Sequence, residues 1–333
     1  MLFKKYILKL LPLLLLCLLF SGCGTKEPIR RNGFYFDTII SITLYDPSKT
    51  KELEHCFSMA ETYEQYFSTS IPDSDISKIN AAAGKPVQVH EETLELIQKG
   101  ITYAQLSNGK FDITIGKLTD LWDFQAKTPS VPDAEAAAAA ADTIDYRNIQ
   151  INGNEISLSD PDSAIDLGGI AKGYIADKMK SYLLSQGVTS GLINLGGNVL
   201  TIGEKADGSA YSIGIQRPFD ETGASIASVS VKDRSVVTSG IYERCFEQDG
   251  IRYHHILDTG SGYPYDNGLL SVSIICKDST DGDALSTACF ALGLVQGMKL
   301  VESLEQTEAI FITSDEKLHT SSGIGTEIPM KTN

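Results

Sequence analysis

The chain has 333 residues, of which 42% are hydrophobic, and its formal net charge at pH 7 is −15. This length can bury one large or two modest cores. The acidity argues against nucleic acid as a partner, because no basic stripe is present to neutralise phosphates. The 6 cysteines also lack the CxxC or CxxxC spacing of a zinc or iron–sulfur site.

The N-terminus has the pattern of an export signal. Lysines flank an apolar stretch from Leu10 to Phe20 that is too short to span a membrane. The stretch ends at Leu19-Phe-Ser-Gly-Cys23, which resembles the lipobox of bacterial lipoproteins. The resemblance implies a signal peptide over residues 1–22, a lipid on Cys23, and a polar tether over residues 23–33. The protein is then exported and anchored to the outer face of the cytoplasmic membrane, or to the periplasmic side of an envelope membrane. An ordinary signal peptide with an incidental cysteine is the alternative.

Along the rest of the chain, apolar residues three or four apart predict helices, and β-branched or aromatic runs predict strands. The predicted helices are 51–67, 92–107, 134–141 with Asp133 as N-cap, 173–186 with Gly187 after its end, 282–292 and 295–304. The predicted strands are 35–45, 191–195, 211–215, 227–231, 235–238, 254–257, 270–275 and 308–313, with a hairpin over 148–159 that turns at Asn152-Gly153. Runs of strands outnumber regular βαβ alternation, which favours an α+β fold with an antiparallel-dominated sheet packed with helices.

Two segments carry the clearest chemistry. Asp166-Leu-Gly-Gly-Ile-Ala-Lys-Gly173 is a glycine-rich turn that runs into a helix, and such a helix start suits a phosphate. Asp283-Ala-Leu-Ser-Thr287 places an acid and a hydroxyl on one helix face, where they offer hard oxygen ligands to Mg²⁺. Together they favour phosphoryl or nucleotidyl transfer. The alternatives are a solvated Lys172 and an Asp283 that only complements the helix dipole.

Four more segments accompany these two, and they are Phe111–Trp122, Asn194–Asn198, Thr238–Arg244 and His254–Asp258. In this order, the chain resembles the ApbE family of FAD:protein FMN transferases from about Tyr35 to Thr313. The resemblance implies a T-fold-like α+β domain over residues 34–333. It also implies a Mg²⁺-dependent reaction with FAD as substrate. FAD is split at its pyrophosphate, AMP leaves, and FMN becomes joined by a phosphoester to a Thr or Ser hydroxyl of an acceptor protein.

The resemblance also implies roles for individual residues. Asp283 and Thr287 hold Mg²⁺ through their side chains, and backbone carbonyls near Gly169 and Ser286 complete the protein ligands. Contacts to the flavin nucleotide fall to Phe36, Thr38, Ser70, Lys110, Phe111, Asp112, Asp166, Lys172, Tyr242, Ile256 and Asp258. Asp177 is either a carboxylate that orders the site or a member of a helix-face salt bridge. Asp37 stands where relatives often have Gly, and Ser70 where they often have a Tyr against the flavin.

Two adjacent histidines, His254 and His255, compete for a place in the site. Neighbouring residues on a strand point to opposite faces, so only one of them can face the nucleotide. We favour His255 as the group that orients or deprotonates the acceptor hydroxyl, since histidine titrates near neutral pH. A hydrogen bond to the nucleotide is the rival role.

The expected acceptor is an exported electron-transfer subunit or extracellular flavoprotein with a Ser/Thr-Gly-Ala-Thr/Ser site. Residues 220–225 resemble that site, which raises the hypothesis of self-modification at Thr222. Two other functions stay open at this point. One is a Mg²⁺-dependent FAD pyrophosphatase that releases FMN and AMP, and the other is a flavin-binding lipoprotein without catalysis.

Overall fold

The structure is a computed structural model that describes residues 27–220 and 223–333. The signal peptide, Cys23 and Thr222 fall outside the described residues, so export, lipid attachment and self-modification stay predictions. Within the described ranges there are seven α-helices. They are α1 (Thr50–Phe67), α2 (Asp75–Ala81), α3 (Glu91–Leu106), α4 (Gly116–Trp122), α5 (Ala134–Ala141), α6 (Ala171–Ser185) and α7 (Ser279–Glu302).

The strands, in chain order, are β1 (Ile29–Tyr35), β2 (Thr38–Leu44), β3 (Val87–Gln88), β4 (Ile149–Asn152), β5 (Glu155–Leu158), β6 (Ser190–Leu195), β7 (Asn198–Gly203), β8 (Tyr211–Gln216), β9 (Ser225–Val231), β10 (Ser235–Gly240), β11 (Cys245–Gln248), β12 (Ile251–His254), β13 (Leu269–Cys276), β14 (Glu308–Thr313), β15 (Leu318–Thr320) and β16 (Met330–Thr332). The main sheet has eight strands in the order β1-β2-β6-β7-β10-β13-β14-β15, and every pairing in it is antiparallel. Three smaller sheets are ordered β11-β12, β16-β9-β8 and β3-β5-β4. The predicted α+β fold with an antiparallel sheet is therefore confirmed.

Both faces of the main sheet are covered for much of its width. On one face, strand residues such as Ile40 and Ile42 are fully buried in a core shared with Phe57 of α1 and Ile175 of α6. On the other face, the small sheet β16-β9-β8 contributes Val229 to a second core that includes residues of β13 and β14. Along β2, fully buried residues alternate with half-buried ones, because successive side chains of a strand point to opposite faces of the sheet.

The first hairpin differs from the prediction of one strand over 35–45. The chain turns at Phe36 and Asp37, whose φ angles are 52° and 54°, and β1 and β2 pair across this two-residue turn. Positive φ at both central residues is the geometry of a type I′ turn, for which Asn-Gly is the usual signal. A Phe-Asp pair gives no such signal. Residues 29–33, which we assigned to the tether, belong to β1.

Helix α7 was predicted as two helices, and a break does occur between them at Gly293, where φ is 76° and ψ is 171°. Helix α7 is long and apolar enough to cross a membrane by length and composition, but 50% of its most apolar window is buried inside the protein. It packs on β10 and β13, as a core helix does. The predicted strand at 254–257 was wrong in its bounds, since β12 ends at His254.

Candidate functional site

Helices α6 and α7 approach each other unusually closely at their N-terminal ends. A Cβ atom built on Gly173 of α6 lies only 2.2 Å from the carbonyl oxygen of Ser279 and 2.7 Å from the Cα of Thr280. Backbone atoms cannot move aside as side chains do, so only glycine permits this approach. The contact brings the glycine-rich turn before α6 next to Asp283 and Thr287 on α7.

Two carboxylates join the helices crosswise. Asp283 of α7 accepts a hydrogen bond from the backbone N–H of Gly173 at 2.9 Å. In return, Asp177 of α6 accepts from the backbone N–H groups of Ser279 and Thr280, both at 2.8 Å. These donors lie in the first turns of the helices, where no intrahelical acceptor exists. Asp177 thus caps α7 rather than pairing with a cation on its own helix, so the salt-bridge alternative is wrong, and a part of Asp177 in ordering the site stays a prediction.

Replacement of Asp177 with Ala should destabilise the protein by about 1–2 kcal/mol, the usual cost of removing a helix cap. Because the lost cap lies beside Asp283, the activity of the site should fall as well. Asp133→Ala is the matched control, since Asp133 caps the surface helix α5 through the N–H groups of Glu135 and Ala136. Urea denaturation of both variants measures the loss. If both variants keep full activity, the Asp177 cap has no part in ordering the site.

An oxygen-rich cluster occupies the junction of the turn with α7. Asp283 is 4% exposed, and Thr287 follows it by one helical turn. Ser239 of β10 places its Oγ 3.0 Å from Thr287 Oγ1 and 2.7 Å from Ser286 Oγ. The turn lies against the same group, because a Cβ on Gly169 would be 3.8 Å from Thr287 Oγ1. The structure therefore brings together the four residues predicted to hold the metal.

The donors in this cluster suit Mg²⁺. They are one carboxylate, hydroxyl groups and nearby backbone carbonyls, all of them oxygen ligands. The described residues contain no group of three or more His, Cys, Asp or Glu side chains that could hold a metal. A site with a single carboxylate leaves positions for phosphate oxygens and water, which Mg²⁺ usually keeps. The donor set thus fits Mg²⁺ held jointly by protein and substrate.

Lys172 and Asp166 shape the glycine-rich turn. The ammonium of Lys172 donates to the Gly168 carbonyl at 2.9 Å and lies 3.9 Å from Asp283 Oδ1. Asp166 accepts from the Gly168 N–H at 2.7 Å and from the Thr119 hydroxyl at 2.8 Å. In the part of the chain that the structure describes, the N–H groups of Gly169 and Lys172 have no protein acceptor. These two N–H groups and the ammonium are the donors that the turn can offer to a phosphate.

A second part of the site surrounds Phe111. Its ring packs against the turn, 3.1 Å from a Cβ built on Gly169. The neighbouring Lys110 contacts Asp258 at 3.3 Å. Burial alone would raise the pKa of Asp258, but the Gly260 N–H bond and the Lys110 charge outweigh burial and lower that pKa. A polar cavity of about 400 Å³ opens beside these residues, lined by Asn108, Gly109, Asp112, Ile144, Asp145, Tyr146, Arg147 and Thr259. A larger groove of about 680 Å³ near Val295 and His319 is lined by none of the predicted site residues.

Asp112 lines the polar cavity, and its carboxylate is also held by hydrogen bonds from the protein. It is 5% exposed, and its carboxylate accepts from the N–H and hydroxyl of Thr114 and from the N–H of Tyr146. Burial raises its pKa despite these bonds. The Asp112-Ile-Thr114 pattern is a local turn signal that could have indicated this structural role.

The two histidines lie in different surroundings, and β12 ends at His254, so that His255 follows the strand. His254 is buried and contacts the carbonyl oxygen of Tyr265 through Nε2 at 2.9 Å. The half-buried His255 lies beside Arg244, whose carbonyl oxygen is 3.3 Å from its Nδ1. Burial, and then the positive charge of Arg244, lower the pKa of His255 to about 3, and the charge of Lys172 adds a small contribution. The imidazole of His255 is therefore neutral, and it lies close enough to the glycine-rich turn for the charge of Lys172 to affect its pKa.

Gln125 and Arg244, which the sequence analysis did not propose, tie the first hairpin to this region. With its amide oriented to satisfy both neighbours, Gln125 accepts from Arg244 Nη1 at 2.8 Å and donates to Asp37 Oδ2 at 3.3 Å. Phe36 is held at the same turn by a bond from its N–H to Glu64 at 2.6 Å. We treated Asp37 as a departure from the family pattern. Through Gln125 it is connected to Arg244, and Arg244 contacts His255.

The remaining predicted residues lie in varied surroundings. Thr38 packs against the turn at Gly196, where a Cβ would come within 2.4 Å of its Oγ1. Ile256 is buried at 4% exposure. The ring of Tyr242 packs on Gly240, and its buried hydroxyl has no hydrogen-bond partner among the described residues. Ser70 is exposed between α1 and α2 and bonds only to Ser68, so no contact in the described chain joins it to the other predicted residues.

Comparison with known proteins gives concordant results. The model of the ApbE family matches residues 36–311. An FAD:protein FMN transferase of Klebsiella pneumoniae (strain 342) is 41% identical over 269 residues, which are 80% of this chain and 83% of the relative. An FAD:protein FMN transferase of Treponema pallidum (strain Nichols) is 33% identical, with 93% of this chain and 92% of the relative covered.

Solved structures agree with this picture. The crystal structure of the ApbE protein from Thermotoga maritima has a TM-score of 0.83 and 31% identity, and the match covers 89% of this chain and 97% of that one. The flavin transferase ApbE from Vibrio cholerae has a TM-score of 0.79 and 29% identity, with 89% and 97% covered.

Proposed function

The chain belongs to the ApbE family and is an FAD:protein FMN transferase, and we propose how its residues carry out the transfer. The acceptor is a Thr or Ser hydroxyl of another protein. The hydroxyl oxygen forms a bond to the FMN phosphorus of FAD, and the bond from that phosphorus to the bridging pyrophosphate oxygen breaks. AMP leaves with the bridging oxygen, and FMN stays on the acceptor as a phosphoester. The observation that carries this proposal is the convergence of Lys172, Asp283 and Thr287 on the glycine-rich turn.

Charge is the main requirement of this reaction, because the pyrophosphate is anionic and the leaving phosphate gains charge as the bond breaks. Lys172 and the free N–H groups of Gly169 and Lys172 bind phosphate oxygens at the start of α6. Asp283, Thr287 and the carbonyls near Gly169 and Ser286 hold Mg²⁺. When bound, Mg²⁺ neutralises the pyrophosphate and stabilises the charge that develops on the leaving group. Lys110, Phe111 and Asp258 border the nucleotide.

His255 receives the proton of the acceptor hydroxyl. Its pKa of about 3 keeps the imidazole unprotonated at neutral pH, so that it can accept a proton. The bound phosphates bring negative charge close to Arg244 and Lys172, the two cations that help to lower this pKa. Substrate binding thus favours the imidazolium and makes His255 a stronger base than it is in the free protein.

Replacement of His255 with Ala should leave FAD affinity intact and lower AMP release and FMN transfer by about 100-fold or more, the usual contribution of a general base. His55→Ala on the surface of α1 is the matched control. Dissociation constants for FAD and rates of AMP release, measured on the same samples, separate binding from chemistry. Transfer at the unchanged rate would remove His255 from the mechanism.

The pH dependence gives an independent check on the free protein. A histidine with an ordinary pKa of about 6.5 loses its basic form as the pH falls through that value. Because the pKa of His255 is lowered to about 3, its proton binds only in much stronger acid. We therefore expect kcat/KM to be level between pH 8 and pH 5 as far as this group is concerned. A fall of kcat/KM below about pH 6.5 that is absent from the pH profile of His255→Ala would contradict the lowered pKa.

The transfer itself is tested with FAD, Mg²⁺ and a peptide that carries an Asp-x-x-Thr-Gly-Ala-Thr acceptor site. AMP and FMN-peptide are quantified by mass spectrometry. Equal amounts of both support the transferase mechanism, and loss of the product on chelation of Mg²⁺ supports the metal. AMP and free FMN with unmodified peptide would indicate FAD hydrolysis, and bound but intact FAD would indicate a binder without catalysis.

We also propose that a lipid on Cys23 anchors the domain to a membrane on the exported side. Because β1 begins at Ile29, the tether that joins Cys23 to the folded domain is shorter than the sequence suggested. The acceptor must then present its hydroxyl close to the membrane surface, which suits an electron-transfer subunit of an exported or membrane-bound flavoprotein. Membrane retention that salt does not disrupt would support the anchor.

A further inference from the structure

Three hydroxyl groups and one carbonyl form a continuous hydrogen-bonded row beside Asp283. Thr287 Oγ1 lies 3.0 Å from Ser239 Oγ, and Ser239 Oγ lies 2.7 Å from Ser286 Oγ. The row ends where Ser286 Oγ donates to the carbonyl oxygen of Asp283 at 2.9 Å. Each hydroxyl has a single proton to donate, whereas a carbonyl oxygen can only accept.

These facts fix the direction of every bond in the row. The proton of Ser286 is used on the Asp283 carbonyl, so Ser286 must accept from Ser239. The proton of Ser239 is thereby used, so Ser239 must accept from Thr287. Thr287 therefore directs its proton at Ser239, and the lone pairs of its oxygen are left for another partner. A threonine in a helix usually donates to the carbonyl four residues earlier. Here that carbonyl belongs to Asp283 and accepts from Ser286, and the one hydrogen bond that Thr287 Oγ1 makes within the described residues is the one to Ser239.

We propose that Ser239 is a positioning residue that orients the Thr287 hydroxyl for a divalent cation. A cation repels the proton of a hydroxyl and binds its lone pairs, so the hydroxyl is a good ligand only when the proton points elsewhere. Ser239 supplies the acceptor that holds the proton away, although it is not itself a predicted ligand. This inference rests on the proposed metal site but not on transfer to an acceptor.

The test measures Mn²⁺ binding by electron paramagnetic resonance, with FAD present and acceptor omitted. Ser239→Ala should weaken Mn²⁺ binding by about 10-fold or more, as removal of a group that orients a metal ligand commonly does. Ser239→Thr keeps a hydroxyl and should restore binding. Transfer by Ser239→Ala should recover at high Mg²⁺, because the defect lies in cation affinity.

The matched control is Ser273→Ala. Ser273 of β13 pairs with Thr238 of β10 at 2.7 Å, and Thr238 and Ser239 are consecutive and so point to opposite faces of the sheet. The control removes a buried hydroxyl of the same type from the same pair of strands, away from α7. Its Mn²⁺ affinity should equal that of the unchanged protein.

A double variant tests the direction of the row. In Ser286→Ala the proton of Ser239 is released and can turn toward Thr287, so Mn²⁺ binding should weaken even though Ser286 keeps its backbone carbonyl. The double variant Ser239→Ala with Ser286→Ala should bind Mn²⁺ no more weakly than Ser239→Ala alone, because the first substitution already interrupts the row of hydrogen bonds. Equal Mn²⁺ affinities in Ser239→Ala and Ser273→Ala would overturn the inference alone. Failure of the unchanged protein to bind Mn²⁺ would overturn the metal site as well.

Discussion

Asp283→Asn is expected to lower FMN transfer by on the order of 1,000-fold, the scale on which loss of one charge-stabilising group slows an enzyme. Asp283 is the only carboxylate in the oxygen cluster that we assign to Mg²⁺. Asparagine has the same shape and keeps an amide oxygen that can accept the hydrogen bond from the Gly173 N–H. The contact between α6 and α7 should therefore survive, and the loss should fall on the cation and the chemistry.

The rate of AMP release and the affinity for Mg²⁺ are the measurements that check this. The control is Asp75→Asn, which neutralises another buried carboxylate, one that accepts from Thr93 and His90 away from the cluster. Asp75→Asn should lose stability without a comparable loss of Mg²⁺ affinity. If Asp283→Asn binds Mg²⁺ as the unchanged protein does, the proposed metal site is wrong.

Gly173→Ala is expected to lose both stability and activity, although alanine is the better helix former by about 1 kcal/mol. The new Cβ would lie 2.2 Å from the Ser279 carbonyl oxygen and 2.6 Å from its carbon. Backbone atoms at such distances must move, and overpacking of this kind typically costs about 1–3 kcal/mol or more. Movement of α7 also carries Asp283 and Thr287 away from the turn, so transfer should fall further than stability alone explains.

Gly100→Ala is a matched control on the buried face of another helix, α3. There the new Cβ would meet side-chain atoms of Ile113 at 2.7 Å, and these can rotate away. We expect the gain in helix propensity to offset much of that clash. Thermal unfolding and AMP release of both variants decide the matter. A Gly173→Ala protein that is as stable and active as Gly100→Ala would show that the close approach of α6 and α7 is not required.

The parts of the site that the sequence predicted share a local origin. Asp283 and Thr287 are four residues apart, and the helical period alone places them on one face. The glycine-rich turn and the start of α6 are likewise contiguous in the chain. Such features need only the neighbouring residues, so a sequence can reveal them.

The parts that the sequence did not reveal depend on contacts between distant segments. Ser239 meets Ser286 and Thr287 only because β10 packs beneath α7. Gln125 joins Asp37 to Arg244 across three separate segments. No periodicity in the chain encodes these meetings. The turn at Phe36 and Asp37 was missed for a different reason, since tertiary contacts such as the Glu64 bond hold residues that by themselves disfavour positive φ.

The crosswise bonds of Asp177 and Asp283 have a consequence for the energy landscape of the protein. Each helix depends on the other for the acceptors at its first turn, so neither start is stable when the two segments are apart. Loss of the cation site and separation of α6 from α7 should then be one cooperative event, with no frayed state in between. The amide protons of Gly173, Ser279 and Thr280 should exchange with solvent only when the whole domain opens, and therefore at the rate of global opening. If cation and FAD bind the closed pair as we propose, saturation with both would slow that exchange throughout the core and not only at the site.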